Sequence, residues 1–181
     1  MGEIKLLTAE NNASDIMLRR YKKELSTSGG GYILFGLWSV IKIIMSVFIG
    51  ELTVGKIVDQ QELDPELRVI FTSLYLAMMG IAAVAVLLVH LYVGLGAIRA
   101  SAGSKKRGYL RVTVILLVAN IISLMSYGGY FSDLSNFSID DTTIASFMVD
   151  VTVVIMLIGI LRSEKMIKKL TMEKEQGIQG A

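Results

Sequence analysis

The hydrophobic positions of the chain fall into four long runs separated by short polar segments. The runs cover about residues 32–50, 69–98, 109–127 and 143–161. Each is close to the ~20 residues that an α-helix needs to cross the hydrocarbon core of a bilayer. Period-2 alternation is absent, and a membrane barrel would need many strands. The pattern predicts an all-α integral membrane protein built as a four-transmembrane-helix bundle.

The Lys and Arg residues are distributed unevenly among the polar segments. Fifteen of the eighteen lie in the N-terminal segment, in the second loop counted from Arg99 to Arg111, and in the C-terminal tail from Arg162. Two lie in the first loop, none lies in the third, and the remaining one, Lys42, lies within an apolar run. Because cytoplasmic loops of membrane proteins are enriched in Lys and Arg, this alternation predicts an N-in/C-in orientation.

Composition narrows the chemistry. The chain is 53% hydrophobic and 19% charged, against roughly 25% charged residues in soluble domains. It has no cysteine and one histidine, which excludes disulfide frameworks, thiolate catalysis and Cys- or His-rich metal sites. A net charge of +2 gives no indication of a nucleic-acid partner. We therefore expect no cofactor and no metal.

The flanking segments are predicted to lie at the cytoplasmic surface. Residues 1–28 form a cytoplasmic segment, 29–162 the transmembrane domain and 163–181 a basic tail that continues as a helix. Within the first segment, residues 14–26 predict a short amphipathic helix that lies on anionic headgroups, followed by a hinge at three glycines. A solvated charged tail is the alternative. The basic residues of this helix are Arg19, Arg20, Lys22 and Lys23.

The second loop carries a basic cluster, Lys105, Lys106 and Arg107, between two glycines. These side chains could contact lipid phosphates or the acidic face of a partner. The simpler interpretation is that they only anchor the loop on the cytoplasmic side. Expected partners are thus the lipid bilayer with its anionic headgroups, and either another membrane protein or further copies of the chain.

Two ionisable residues, Lys42 and Asp150, lie deep within the apolar runs, and His90 is less clearly embedded. A charge at mid-bilayer costs about 2.5–3.5 kcal/mol on insertion scales. Lys42 lies eight residues before Gly50 and Asp150 lies eight residues after Thr142, the predicted outer ends of their spans. Equal depth and opposite charge predict an ion pair. The pair is either purely structural or part of a hydrated cavity for a proton, ion or small polar solute. Polar residues expected beside it are Ser39, Ser46, Ser146 and Asn120, the last also a candidate for hydrogen bonding between helices.

His90 is the only residue whose ordinary pKa lies near neutrality. It lies on a helix face with small residues that permit close packing. The prediction is a buried or interfacial hydrogen-bonded imidazole, with a proton relay or pH sensor as the alternative.

The usual intramembrane protease and phosphatase sites cannot be assembled from these residues. Ser39 and Ser46 share a helix face with Lys42, but serines that are common in membrane helices do not make a Ser–Lys dyad, so an enzyme is not expected. The sequence favours an accessory or scaffold subunit that associates with other membrane proteins. The alternative is a subunit of an oligomeric channel or transporter that uses Lys42 and Asp150. The absence of cysteines and an uncleaved first span favour a bacterial cytoplasmic membrane.

Overall fold

The computed structural model describes the backbone of residues 2–60, 65–132 and 141–179, and the side chains of residues 12–45, 47, 66–126, 144 and 146–176. Apart from a short loop at 102–108, all of these residues are helical. The four helices, in chain order, are α1 (Gly2–Gln60), α2 (Pro65–Ser101), α3 (Tyr109–Ser132) and α4 (Asp141–Gln179). The predicted all-helical class is confirmed for the described part of the chain.

Each of the four helices is long and apolar enough to cross a membrane. The qualifying segments are Asn12–Met45, Glu66–Ser101, Tyr109–Ser126 and Ser146–Gln176. At about 1.5 Å per residue, the 59 residues of α1 are roughly 90 Å long, against a hydrocarbon core of about 30 Å. The 39-residue α4 also exceeds what one crossing needs.

The predicted separate helix at 14–26 and its glycine hinge are wrong, because α1 continues through Gly29, Gly30 and Gly31 without a break. Packing explains the glycines instead. A β-carbon at Gly29 would lie 2.8 Å from the Gly94 carbonyl oxygen and 2.9 Å from the Ala97 β-carbon. Glycine therefore allows α1 to approach the backbone of α2, and this contact outweighs the weak helix propensity of the residue.

The chain divides into two compact units, residues Met1–Tyr32 with Val93–Ala181, and residues Ile33–Tyr92. The first unit, called here the basic unit, contains parts of all four helices and most of the Lys and Arg residues. Its buried apolar side chains come from every helix and are Leu25, Tyr32, Val93, Ala97, Ala100, Tyr109, Val153, Leu157, Ile160, Ile167 and Leu170.

In the basic unit α1 and α4 run antiparallel over several turns. Lys174 Nζ lies 2.7 Å from Asp15 Oδ1 at one end of the paired segment. Further along, the Gly159 position faces Ser28, whose Oγ lies 3.0 Å from where a β-carbon would be. As residue numbers rise on α1 they fall on α4, so the C-terminal extension of α4 packs beside the N-terminal part of α1.

The turn between α2 and α3 is built from backbone hydrogen bonds. Gly103 has a φ of 101°, a left-handed conformation that favours glycine. The Gly103 N–H donates to the Ala100 carbonyl and the Ser104 N–H donates to the Arg99 carbonyl, both at 3.0 Å. This is the pair of bonds that defines a Schellman motif. It ends α2 and fixes the direction in which the basic loop leaves the helix.

The second unit, called here the hairpin unit, consists of α1 from residue 33 and α2 up to residue 92. The two segments are close at Gly36, where a β-carbon would lie 2.6 Å from Cγ of the His90 ring. None of the side chains that the structure describes in this unit is buried. Its apolar faces are therefore available to lipid or to another helix.

Candidate functional site: a basic groove around a buried glutamate

A buried carboxylate joins three segments of the basic unit. Glu164 of α4 is only 5% exposed. Its Oε1 accepts a charge-assisted hydrogen bond from Arg107 Nε, and its Oε2 accepts one from the Tyr109 hydroxyl at 3.0 Å. Both carboxylate oxygens thus have donors, which a buried charge requires.

Local sequence explains how the two donors reach the glutamate. The Schellman turn directs the loop back toward α4, and Arg107 Nη1 also donates to the Ser104 carbonyl within that loop. Tyr109 is the first residue of α3, and its ring covers Gly96, where a β-carbon would lie 2.6 Å from the ring Cγ. Glycine at 96 therefore makes the room for the tyrosine that hydrogen-bonds Glu164.

A groove with a volume of about 560 Å³ opens beside this cluster. Its lining consists of four cationic side chains, one acid and two leucines. These residues are Lys105, Arg107, Leu110, Leu161, Glu164, Lys165 and Lys168. The acid is already paired with Arg107, so the groove carries a net charge of +3. Such a lining suits a phosphate or carboxylate and disfavours a metal cation.

The lysines of α4 share a helix face with one of the leucines. Leu161, Lys165 and Lys168 are spaced four and three residues apart, which places them one above another on one side of the helix. None of the three groove lysines forms a salt bridge with a residue in the described ranges. Their charges are available to an anionic ligand.

The structure gives different positions to the predicted headgroup residues. Lys105 and Arg107 line the groove, whereas Lys106 is exposed and is not part of the lining. The N-terminal set lies on α1, where Arg19, Arg20 and Lys23 are exposed and Lys22 is half-buried. Contact of any of them with lipid stays a prediction.

Sequence reasoning missed three members of the groove. The sequence assigns Glu164, Lys165 and Lys168 only to the basic tail at 163–181. The available signal was a single acid among basic residues directly after an apolar run, with lysines at helical spacing around it. Their meeting with the 102–108 loop depends on the packing of α4 against α3, which spacing along the chain does not give.

The predicted intramembrane pair is divided between the two units. Lys42 is exposed on α1 of the hairpin unit, and Asp150 is half-buried on α4 of the basic unit. Their ion pairing stays a prediction. Ser146 is half-buried one turn before Asp150, and the Ser46 side chain lies outside the described residues.

Two of the predicted polar neighbours bond within their own helices. Ser39 Oγ donates to the Phe35 carbonyl at 2.9 Å, and Asn120 Nδ2 donates to the Leu116 carbonyl at 2.8 Å. The Asn120 amide has a second N–H and a carbonyl oxygen, so its hydrogen bond to another helix stays a prediction. A carbonyl four residues earlier is within reach of such a side chain in any helix.

His90 is hydrogen-bonded, as its position predicts. Its Nδ1 lies 2.8 Å from the Val86 carbonyl oxygen, which requires the proton on Nδ1. The imidazole packs over Gly36 and fills the space that a side chain there would occupy. A proton relay or pH sensor at this position stays a prediction.

Four of the described helices are long and apolar enough to cross a membrane, which indicates that the chain is a helical membrane protein. Comparison with models of known protein families, with curated proteins and with solved structures finds no match to this chain. A function must therefore be argued from the residues of the chain itself.

Proposed function

We propose that the chain is a multi-pass protein of the cell membrane that acts as a non-enzymatic accessory or scaffold subunit. In this proposal it crosses the membrane four times with both termini in the cytoplasm, in a bacterial cytoplasmic membrane. Its hairpin unit associates with a helix of another membrane protein. The basic unit anchors the subunit at the cytoplasmic face.

The observation that carries this proposal is the uneven burial of side chains. Each of the four helices contributes to the core of the basic unit, whereas none of the side chains described in the hairpin unit is buried. Ile81 and Val84 of α2 are 71% and 58% exposed. The basic unit has its own core, and the hairpin unit offers its apolar faces to a partner.

Exposed apolar side chains alone would be satisfied by lipid, so the shape of the exposed face matters. A groove of about 500 Å³ runs along α2, where small residues alternate with large ones. It is lined by Ala77, Gly80, Ile81, Val84, Ala85 and Leu88. Small residues permit close approach of a second helix in a membrane, where packing rather than the hydrophobic effect drives association.

Photocrosslinking in native membranes tests the association. A photoreactive residue replaces Ile81 in the groove or, as the matched control, Ile115 of α3, which is 67% exposed. We expect a discrete adduct with a second membrane protein from position 81 and only lipid adducts from position 115. Lipid adducts alone from both positions would contradict the scaffold role. An adduct of two copies of this chain would assign the face to self-association and would also contradict it.

A groove-filling variant sharpens the test. A β-carbon at Gly80 meets no described atom within 4 Å, so the first carbon of the leucine in Gly80→Leu fits without displacing a neighbour. The leucine would occupy the space of the partner helix, and the adduct at position 81 should disappear. Helix content and thermal stability in detergent should match those of the unchanged protein. A persistent adduct would show that the partner does not use this groove.

The proposed orientation has its own test. Because the chain contains no cysteine, one introduced thiol is unique. Ser104→Cys lies in the basic loop, and Ser138→Cys lies in the acidic sequence between the third and fourth apolar runs. A membrane-impermeant maleimide added to intact cells should label only position 138. Labelling of position 104 alone would reverse the proposed topology.

A further inference from the structure

We propose that the basic groove is a binding site for the phosphate of an anionic phospholipid, with the acyl chains lying along Leu110 and Leu161. The site is formed by residues of α3, α4 and the loop between α2 and α3. It does not depend on the accessory role, because every lining residue belongs to the basic unit.

Charge supports an anionic ligand. Four cations and one acid leave a net charge of +3 in a groove of about 560 Å³, and three of those cations are lysines at helix or loop surfaces. One phospholipid headgroup with a single net negative charge would reduce this repulsion. Cations near an anionic membrane surface each contribute about a factor of five to binding.

Arg107 is held in place before any ligand arrives. Its Nε donates to Glu164 and its Nη1 donates to the Ser104 carbonyl, which uses two of the five N–H donors of a guanidinium. The remaining donors can bind a phosphate without loss of the buried ion pair. Because the side chain is already fixed, less conformational entropy is lost on binding.

The position of the groove favours a lipid over a soluble anion. In α4 the apolar sequence ends at Leu161 and basic residues follow from Arg162. In α3 the basic segment ends at Arg111, the neighbour of Leu110, and predominantly apolar sequence follows from Val112. The lining thus contains the apolar-to-basic transition of both helices, which matches the sequence from acyl chain to headgroup in a phospholipid.

Equilibrium binding to the full-length protein in detergent micelles, measured by native mass spectrometry, tests the site. The probes are phosphatidylglycerol, phosphatidylcholine, glycerol 3-phosphate and inorganic phosphate. The groove variant combines Lys105→Gln with Lys168→Gln. The control variant combines Lys106→Gln with Lys169→Gln. Each control residue is the next one along the chain, and all four lysines are exposed.

We expect saturable binding of phosphatidylglycerol that is at least about tenfold weaker in the groove variant, since two charge-assisted contacts to the phosphate are removed. The control variant carries the same total charge and should bind like the unchanged protein. Lys169 forms a salt bridge of 3.7 Å with Glu173, and both side chains are exposed, so the loss of this pair should affect folding little. Circular dichroism confirms that both variants remain helical.

Three results would overturn the inference. Equal loss of affinity in both variants would show diffuse attraction to basic residues and no discrete site. Equal binding of phosphatidylcholine would show that the net charge of the headgroup does not matter. Binding of glycerol 3-phosphate or inorganic phosphate as tight as that of phosphatidylglycerol would assign the groove to a soluble anion.

Discussion

Three consecutive glycines of α1 should respond very differently to the same substitution, although they are identical in sequence terms. Gly29, Gly30 and Gly31 all lie within the helix. Replacing any of them with alanine adds one methyl group and removes the same backbone freedom. The three variants therefore differ only in what the methyl group contacts.

The structure gives each methyl group a different environment. At Gly30 it meets no described atom within 4 Å. At Gly31 it lies 3.0 Å from Cε and 3.2 Å from Sδ of Met156, the end of a side chain that can rotate away. At Gly29 it lies 2.8 Å from the Gly94 oxygen and 2.9 Å from the Ala97 β-carbon, which cannot rotate.

These contacts set the magnitudes. Alanine is favoured over glycine within a helix by about 1 kcal/mol, so Gly30→Ala should stabilise the protein by up to that amount. Normal carbon contacts are about 3.5–4.0 Å, so Gly29→Ala must push α1 and α2 apart. Overpacking of this kind costs about 1–3 kcal/mol. Because the helix-propensity gain is common to both variants, the stability of Gly29→Ala should be about 1–3 kcal/mol below that of Gly30→Ala.

Unfolding in mixed micelles, followed by the loss of helical circular dichroism, measures these differences. We expect the order of stability Gly30→Ala, then Gly31→Ala, then Gly29→Ala. A hinge would give another result, because each alanine would remove flexibility to the same extent. Equal shifts for Gly29→Ala and Gly30→Ala would refute the packing argument.

Two further predictions concern charged groups. Arg107→Met should destabilise the protein by about 3–5 kcal/mol, because it leaves the buried Glu164 carboxylate with one donor. Glu164→Leu should cost less, because the Arg107 side chain is 38% exposed and can reach water. Chemical unfolding of both single variants and of the double variant checks this, and a larger loss for Glu164→Leu would contradict it. If Lys42 and Asp150 are paired, Lys42→Met and Asp150→Leu should each lower the free energy of unfolding by about 2.5–3.5 kcal/mol, the cost of an unpaired intramembrane charge. Each single variant should also be expressed at a lower level. The double variant should recover most of the loss, and a double variant as impaired as the worse single would exclude the pair.

The helices could be predicted because each run of apolar residues is long enough to require one. The glycines at 29–31 could not be interpreted in the same way. Glycine has a low helix propensity wherever it occurs, and the residues around it in the chain do not show whether another helix backbone packs against it. Gly29 packs against the backbone of Gly94, which lies 65 residues later in the chain.

The candidate site was predicted only in part for a related reason. Lys105 and Arg107 were recognised as basic loop residues, which is a property of the local sequence. Glu164 accepts a hydrogen bond from Tyr109, which lies 55 residues earlier in the sequence, and no local sequence pattern predicts a contact over that separation. Asn120 shows how a local bond adds to a predicted one, since its amide donates to a carbonyl of its own helix while its hydrogen bond to another helix stays a prediction.

The long sequence distance between Glu164 and its donors has a consequence for the order of synthesis. The loop with Arg107 and the Tyr109 hydroxyl leave the ribosome more than fifty residues before the acid does. Both donors belong to a short loop and the first turn of a helix, where water can solvate them in the meantime. Because both donors are synthesised before α4, the Glu164 carboxylate can accept both hydrogen bonds as it becomes buried.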